Sequence, residues 1–289
     1  MRLAMRWARP SRVCADIIFC NFGPPSDIIA KPPVETLFYT DDTEMTIAVA
    51  ETLLSRGTID EDALCDAFVE NYHPARGYGQ GAQRILDAMK AGEDWRELAR
   101  TIFPGGSLGN GAAMRIAPIG LLFHDDLDRV AHEARLCALP THLHPLGIEA
   151  AQLLAIAVAL VVRQEAFDRT TFFRELMARA SLEEYQWQLS VASRLTIDDS
   201  VAVLGSGLEA HRSVITAIAC FAIEPESYEG VVGRALSLGN DTDTVAAMAG
   251  SLSGAHLGIA GVPAHLLQIL ENGPKGRDYL FDVAARLSR

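Results

Sequence analysis

From residue 42 onward, apolar residues return at intervals of three and four, the spacing that lines one face of a helix. Met45, Val49, Leu53 and Leu54 make one stripe, and Leu64, Ala67, Phe68 and Tyr72 make a second. The same rhythm predicts helices over 81–91, 111–122, 127–138, 145–163, 171–180, 182–195, 213–222, 228–237, 242–257 and 279–287, with short Gly, Pro or acidic breaks between them. No alternating pair of segments flanks a tight turn: Asn110-Gly111 opens a helix-like stretch and Asn272-Gly273 runs into a proline. With no low-complexity linker and no fixed repeat, residues 39–289 read as one all-α domain behind an atypical segment, 1–38.

Composition agrees with that pattern. Hydrophobic residues make up 49% of the 289 and aromatics only 7%, which suits helices packed closely through small side chains. Lys plus Arg number 25 against 37 Asp plus Glu, a formal charge of -12, and no basic run suggests a phosphate-tracking groove. Direct nucleic-acid binding is therefore not expected. The carboxylate excess suits hard cations, which take oxygen ligands. The five cysteines are widely spaced, without a CxxC pair, and are read as reduced. The apolar stretch 150–162 carries Gln152 and is read as too short for a membrane span, and no signal-peptide pattern is visible. A cytoplasmic, monomeric protein without a membrane partner is the expectation.

Two acidic clusters carry the candidate chemistry. Tyr39-Thr40-Asp41-Asp42-Thr43-Glu44 and Leu238-Gly239-Asn240-Asp241-Thr242-Asp243-Thr244 each stand at the mouth of a helix. Either could be a capping device, since an acid at a helix start satisfies free N–H groups and suits the dipole. One carboxylate suffices for that, however, and close pairs repel unless a cation intervenes. Oxygen-rich clusters without Cys or His point to Mg²⁺, Mn²⁺ or Ca²⁺ in preference to zinc or copper. Between them lies Pro104-Gly105-Gly106-Ser107-Leu108-Gly109-Asn110-Gly111, whose glycines allow close approach of a ligand but which can equally be a turn. Thr141-His142-Leu143-His144 adds two imidazoles, fit for ligand contact or for simple surface hydrogen bonds.

In their order, Thr-Asp-Asp-Thr-x-Met-Thr, Gly-Asn-Gly-Ala-Ala-Met-Arg-Ile-Ala-Pro-Ile-Gly, Thr-His-x-His and Asp-Thr-Asp-Thr-Val-Ala-Ala-Met-Ala-Gly closely resemble the ADP-ribosylglycohydrolase family, from about Tyr39 to Gly258. The resemblance implies an all-α orthogonal helix bundle around a binuclear Mg²⁺ or Mn²⁺ centre. It implies Thr40, Asp41 and Asp42 as one ligand set and Asp241, Asp243 and Thr244 as the other, with Asp41, Asp42 and Asp243 as the catalytic residues. Gly106, Ser107, Leu108, Gly109, Asn110 and Gly111 would line an ADP-ribose cleft, with His142 beside the nucleotide. The implied activity is hydrolysis of the glycosidic bond joining ADP-ribose to a protein side chain or small molecule.

The chain departs from the family at its start. The family's first helix carries Gly-Asp-Ala-Leu-Gly and, shortly after, a glutamate that acts on the water or a substrate hydroxyl; here Ala4-Met5-Arg6-Trp7-Ala8-Arg9-Pro10-Ser11-Arg12 stands in its place. Met5 and Trp7 have single codons, and reading one nucleotide earlier is compatible with Gly-Asp-Ala-Leu-Gly-Ala-Pro-Phe-Glu. The hypothesis is that this segment is translated out of frame, and resequencing the gene decides it. The competing reading is a divergent basic extension. A chain lacking that glutamate could bind ADP-ribose or a nucleotide without turnover, and a third reading makes both acidic clusters mere caps.

Overall fold

The structure, a computed structural model, describes residues 29–288. Its elements are helices: α1 (Asp41–Arg56), α2 (Glu61–Asn71), α3 (Gln80–Lys90), α4 (Trp95–Thr101), α5 (Ala117–Leu122), α6 (Leu127–Ala138), α7 (Pro145–Val162), α8 (Arg169–Arg179), α9 (Glu183–Ala192), α10 (Ala210–Ile223), α11 (Tyr228–Leu236), α12 (Thr242–Leu257), α13 (Ala264–Ile269) and α14 (Arg277–Leu287). Among the described residues there is no strand, only the isolated bridges Leu37 to Leu270 and Gly109 to Glu209. The all-α expectation holds.

Helix α7 is the axis. Ala and branched aliphatic residues fill nearly every position from Ala150 to Val161, so it presents no polar face and is buried on all sides. Around it pack α5, α6, α8, α10, α12 and the 3-10 segment Asn110–Arg115. By length and composition α7 could also cross a bilayer, contrary to the reading of 150–162 as too short, because the helix begins five residues earlier; 78% of it is buried inside the fold. Small residues bring its neighbours close: Gly250 of α12 lies 3.8 Å or less from Val232 and Tyr228 of α11, measured from where a Cβ would stand.

The helix expected over 111–122 divides into Asn110–Arg115 and α5. Pro118 has no N–H to give the carbonyl four residues back, so the α-helical ladder cannot run through. Helices α4 and α13 were not expected, being six or seven residues long with only one or two buried apolar positions each. The C-terminal end folds back on the start of the described chain. Leu37 N–H donates to Ile269 O and Glu271 N–H to Leu37 O, and α14 lies on α1. Lys275 Nζ reaches Glu51 of α1 at 2.5 Å, and Tyr279 donates to the same carboxylate. The segment 4–12, on which the frameshift hypothesis rests, lies outside the described residues.

Helix starts differ in how they are closed. Asp60, Asp94, Asp126, Asp168 and Ser227 each accept a backbone N–H of the first turn through the side chain, satisfying donors that a helix start leaves open. At α1 and α12 the cap positions are Thr40 and Asp241, and neither makes a side-chain capping bond.

Candidate active site

The two acidic clusters stand at two of the helix starts that lack a side-chain cap. Helices α1 and α12 both pack against the 3-10 segment Asn110–Arg115, which brings their N-termini to one place. Asp41 feels the charges of Asp42, Asp243 and Asp241, and Asp42 in turn acts on Asp241 and Asp243. Thus four carboxylates separated by some two hundred residues share one electrostatic environment.

That environment is hostile to negative charge. Burial first, then the neighbouring aspartates, raise Asp41 and Asp243 well above the ordinary carboxylate range. Burial likewise lifts Asp241 to about 6, against the opposing bond from Asn110. Among the described residues, Asp41, Asp241 and Asp243 form no ion pair with Lys, Arg or His. Asp42 and Asp241 receive hydrogen bonds from neutral groups. Thr40 Oγ1 donates to Asp42 Oδ2 at 2.7 Å, Asn110 Nδ2 donates to Asp241 Oδ2 at 2.6 Å, and Thr244 Oγ1 lies 3.4 Å from Asp241 Oδ1.

The loop before α12 aims the second cluster. Gly239 and Asn240 both adopt left-handed φ, +72° and +61°, and the Asn240 side chain donates to Ser206 Oγ at 3.2 Å. Asp241 N–H donates to Ser206 O, so the reversal is pinned from both sides. Asparagine tolerates this conformation better than other residues with a side chain.

The glycine loop forms one wall. Asn110 ties it to the aspartates and also reaches Ser213 of α10 at 3.1 Å. Gly106 has φ +85°, and a Cβ there would meet His144 N at 2.4 Å, so only glycine fits against the 142–144 corner. Ser107 Oγ accepts from Gly109 N at 3.3 Å, and Leu108 is 38% exposed beside the Gly109 to Glu209 bridge. His142 is buried beside Gly109 and Gly111, and burial with the Arg115 charge pushes its pKa down to about 3. His144, by contrast, caps α7 by accepting Leu146 N at 3.1 Å.

Glu44 is a residue whose importance was not visible from the pattern. It is 2% exposed and accepts from His73 N at 2.9 Å, His73 Nδ1 at 2.7 Å and Tyr78 Oη at 2.7 Å. It anchors the stretch before α3 onto the start of α1. A glutamate with so many donors is held in place and is not poised to activate water.

Among the described residues no group of three or more Asp, Glu, His or Cys side chains is placed to hold a metal ion. The donor chemistry nonetheless suits a hard divalent cation: acidic oxygens that repel one another, two adjacent hydroxyls, no cysteine or histidine, and no basic side chain neutralising Asp41, Asp241 or Asp243.

Fold and site together define an all-α protein with a carboxylate cluster facing a glycine-lined wall. The model of the family described as ADP-ribosylglycohydrolase matches residues 5–289. Two similar relatives are both described as ADP-ribosylhydrolase ARH3. The one from Danio rerio is 33% identical, over 87% of this chain and 77% of its own length; the one from Homo sapiens is 34% identical, over 82% and 76%. A solved structure described as an ADP-ribosylglycohydrolase-related protein complex shares the fold, with a TM-score of 0.69 and 24% identity over 86% of this chain and 81% of that one. The chain belongs to the ADP-ribosylglycohydrolase family, and its class is that of the glycosyl hydrolases.

Proposed function

We propose that this protein is a divalent-metal-dependent hydrolase that cleaves the glycosidic bond between ADP-ribose and a modified side chain or small molecule, in the cytoplasm. The observation that carries the reading is that the two acidic helix starts converge and leave their carboxylates out of capping. Thr40, Asp41 and Asp42 would hold one Mg²⁺ or Mn²⁺ and Asp241, Asp243 and Thr244 a second. Bound there, such ions supply Lewis acidity and a template for ribose hydroxyls and water. The chain's own part is positional: Thr40 orients Asp42, Asn110 orients Asp241, and Gly106 to Gly111 offer a wall that ADP-ribose can approach closely. Among the described residues, Cys65, Cys137 and Cys220 are free and buried, which suits a reducing compartment.

The test is release of free ADP-ribose from ADP-ribosyl-arginine and ADP-ribosyl-serine peptides with Mg²⁺ and with Mn²⁺. Release that stops on chelation and in Asp241→Ala supports the reading; full turnover in either condition sinks it. The second reading, ADP-ribose binding without turnover, draws on Ala4 to Arg12, which hold no acid, and on Glu44, whose bonds leave it unable to stand in. Calorimetric binding of ADP-ribose with no hydrolysis would select it.

A further inference from the structure

Arg115 is 1% exposed and, among the described residues, pairs with no carboxylate. Its guanidinium spends its donors on neutral groups: Nη2 on Cys137 O at 2.7 Å and Thr141 Oγ1 at 2.8 Å, Nη1 on Gly111 O at 3.3 Å. It also stacks over Phe68, 4.6 Å from the ring centroid. A buried cation in this state is costly unless its fork is well used, and here the fork joins the glycine loop to the Thr141-His142 corner.

The bond to Thr141 decides where the hydroxyl proton goes. Having accepted from Arg115, the hydroxyl can donate to His142 Nδ1 at 2.7 Å or to Ala138 O at 3.5 Å. Ala138 O already accepts the backbone N–H groups of Thr141 and His142. The short, open acceptor is Nδ1. A neutral imidazole that accepts at Nδ1 carries its proton on Nε2. Among the described residues no hydrogen bond reaches that Nε2, and it faces the glycine loop: a Cβ placed on Gly111 would stand 3.3 Å from it and one on Gly109 3.6 Å.

We propose that Arg115 and Thr141 are positioning residues that lock His142 as its Nε2–H tautomer, so that a fixed donor meets an anionic or hydroxyl oxygen of the ligand along the glycine loop; the ligand half rests on the proposed ADP-ribose reading. Burial beside a guanidinium also keeps the ring neutral, so it donates a hydrogen bond without titrating near neutral pH.

The experiment uses the full chain labelled with ¹⁵N-histidine, the His142 signals being assigned by their loss in His142→Asn. At neutral pH and without ligand, wild type shows the Nε2–H tautomer, and Thr141→Val, which keeps the shape and removes the hydroxyl, shows a mixture. In the same variant the Kd for ADP-ribose rises about 10-fold and KM rises with it while kcat changes little, as expected for one lost hydrogen bond. Thr141→Ser restores tautomer and affinity. An Nδ1–H tautomer in wild type overturns the proposal, and so does a Thr141→Val protein whose tautomer or ADP-ribose affinity is unchanged. Wild-type protein that binds no ADP-ribose at all refutes the functional reading instead, and the ligand-free spectra still judge the tautomer.

Discussion

Aspartates begin helices in two regions of this molecule under opposite physical conditions. At α8, Asp168 sits in solvent, accepts from Thr170 N at 3.0 Å and Thr171 Oγ1 at 2.6 Å, and its pKa is lowered by those bonds. At α1 and α12, Asp41 and Asp243 lie within the first turn, and there burial and mutual repulsion raise their pKa values. A carboxylate at a helix start thus has no fixed meaning; its surroundings decide whether it completes the helix or is held beside other negative charges. The fold has arranged the second kind at a cost in stability, which is the mark of groups kept for chemistry.

The strongest way to break this comparison is to remove one charge of the second kind. Asp243→Asn keeps the shape and a coordinating oxygen but loses the negative charge. Its kcat/KM for ADP-ribosyl peptide hydrolysis is expected to fall by about 1,000-fold or more, on the order of 4 kcal/mol of lost transition-state stabilisation. In chelator the same variant should melt no lower than wild type, because one source of repulsion has gone. A variant that melts markedly lower while keeping activity would turn Asp243 into a structural residue.

Next in size is the response to metal. Mg²⁺ or Mn²⁺ at a hundredfold excess over its Kd is expected to stabilise the wild type by about 2.7 kcal/mol per site, since the ion binds the folded cluster and not the dispersed chain. Differential scanning calorimetry with and without the ion reads this directly. Asp41→Asn and Asp243→Asn should reduce the gain, while Asp126→Ala should leave it whole. Equal gains in all four proteins would mean that the ion binds elsewhere.

Glu44 sharpens the comparison from within α1. It follows Asp42 by two residues, yet its partners, His73 and Tyr78, make it structural. Glu44→Gln keeps the size but turns one acceptor into a donor facing other donors, and about 2 kcal/mol of stability should be lost by urea denaturation. Metal binding, measured by calorimetry below the melting range, should persist. Loss of the metal sites with unchanged stability would move Glu44 into the carboxylate cluster.

Much of this was open to sequence reading and some was not, for physical reasons. Helix α12 matches its expected span of 242–257 residue for residue, because an acidic start and a glycine stop bracket an apolar run. The acidic pairs were readable as oxygen-rich helix mouths. That they meet was legible only through family resemblance, since Asp41 and Asp243 interact from positions some two hundred residues apart. Spacing along a chain carries no information about such closure. Arg115 and Glu44 were passed over for a related reason: their burial is set by what α2, α6 and the stretch before α3 bring to them. The start of the chain, residues 1–28, lies outside the described region, so the reading of the missing family glutamate stays with the gene sequence.

The smallest expected effect belongs to the capping aspartates, and it is the control on which the contrast turns. Asp126 Oδ1 accepts from Asp128 N at 3.1 Å and from Arg129 N at 3.0 Å at the start of α6. Asp126→Ala strands both N–H groups, though water can reach this exposed helix end, and the loss should be about 1 kcal/mol. Asp126→Asn, whose amide oxygen can accept the same two bonds, should recover most of it. Neither change touches the shared electrostatic environment of the four clustered carboxylates, so kcat/KM and the metal-dependent gain in stability should match wild type in both. A fall in activity for Asp126→Ala that Asp126→Asn rescues would show that helix starts here act on chemistry through α6, and the division between capping and clustered aspartates would have to be redrawn.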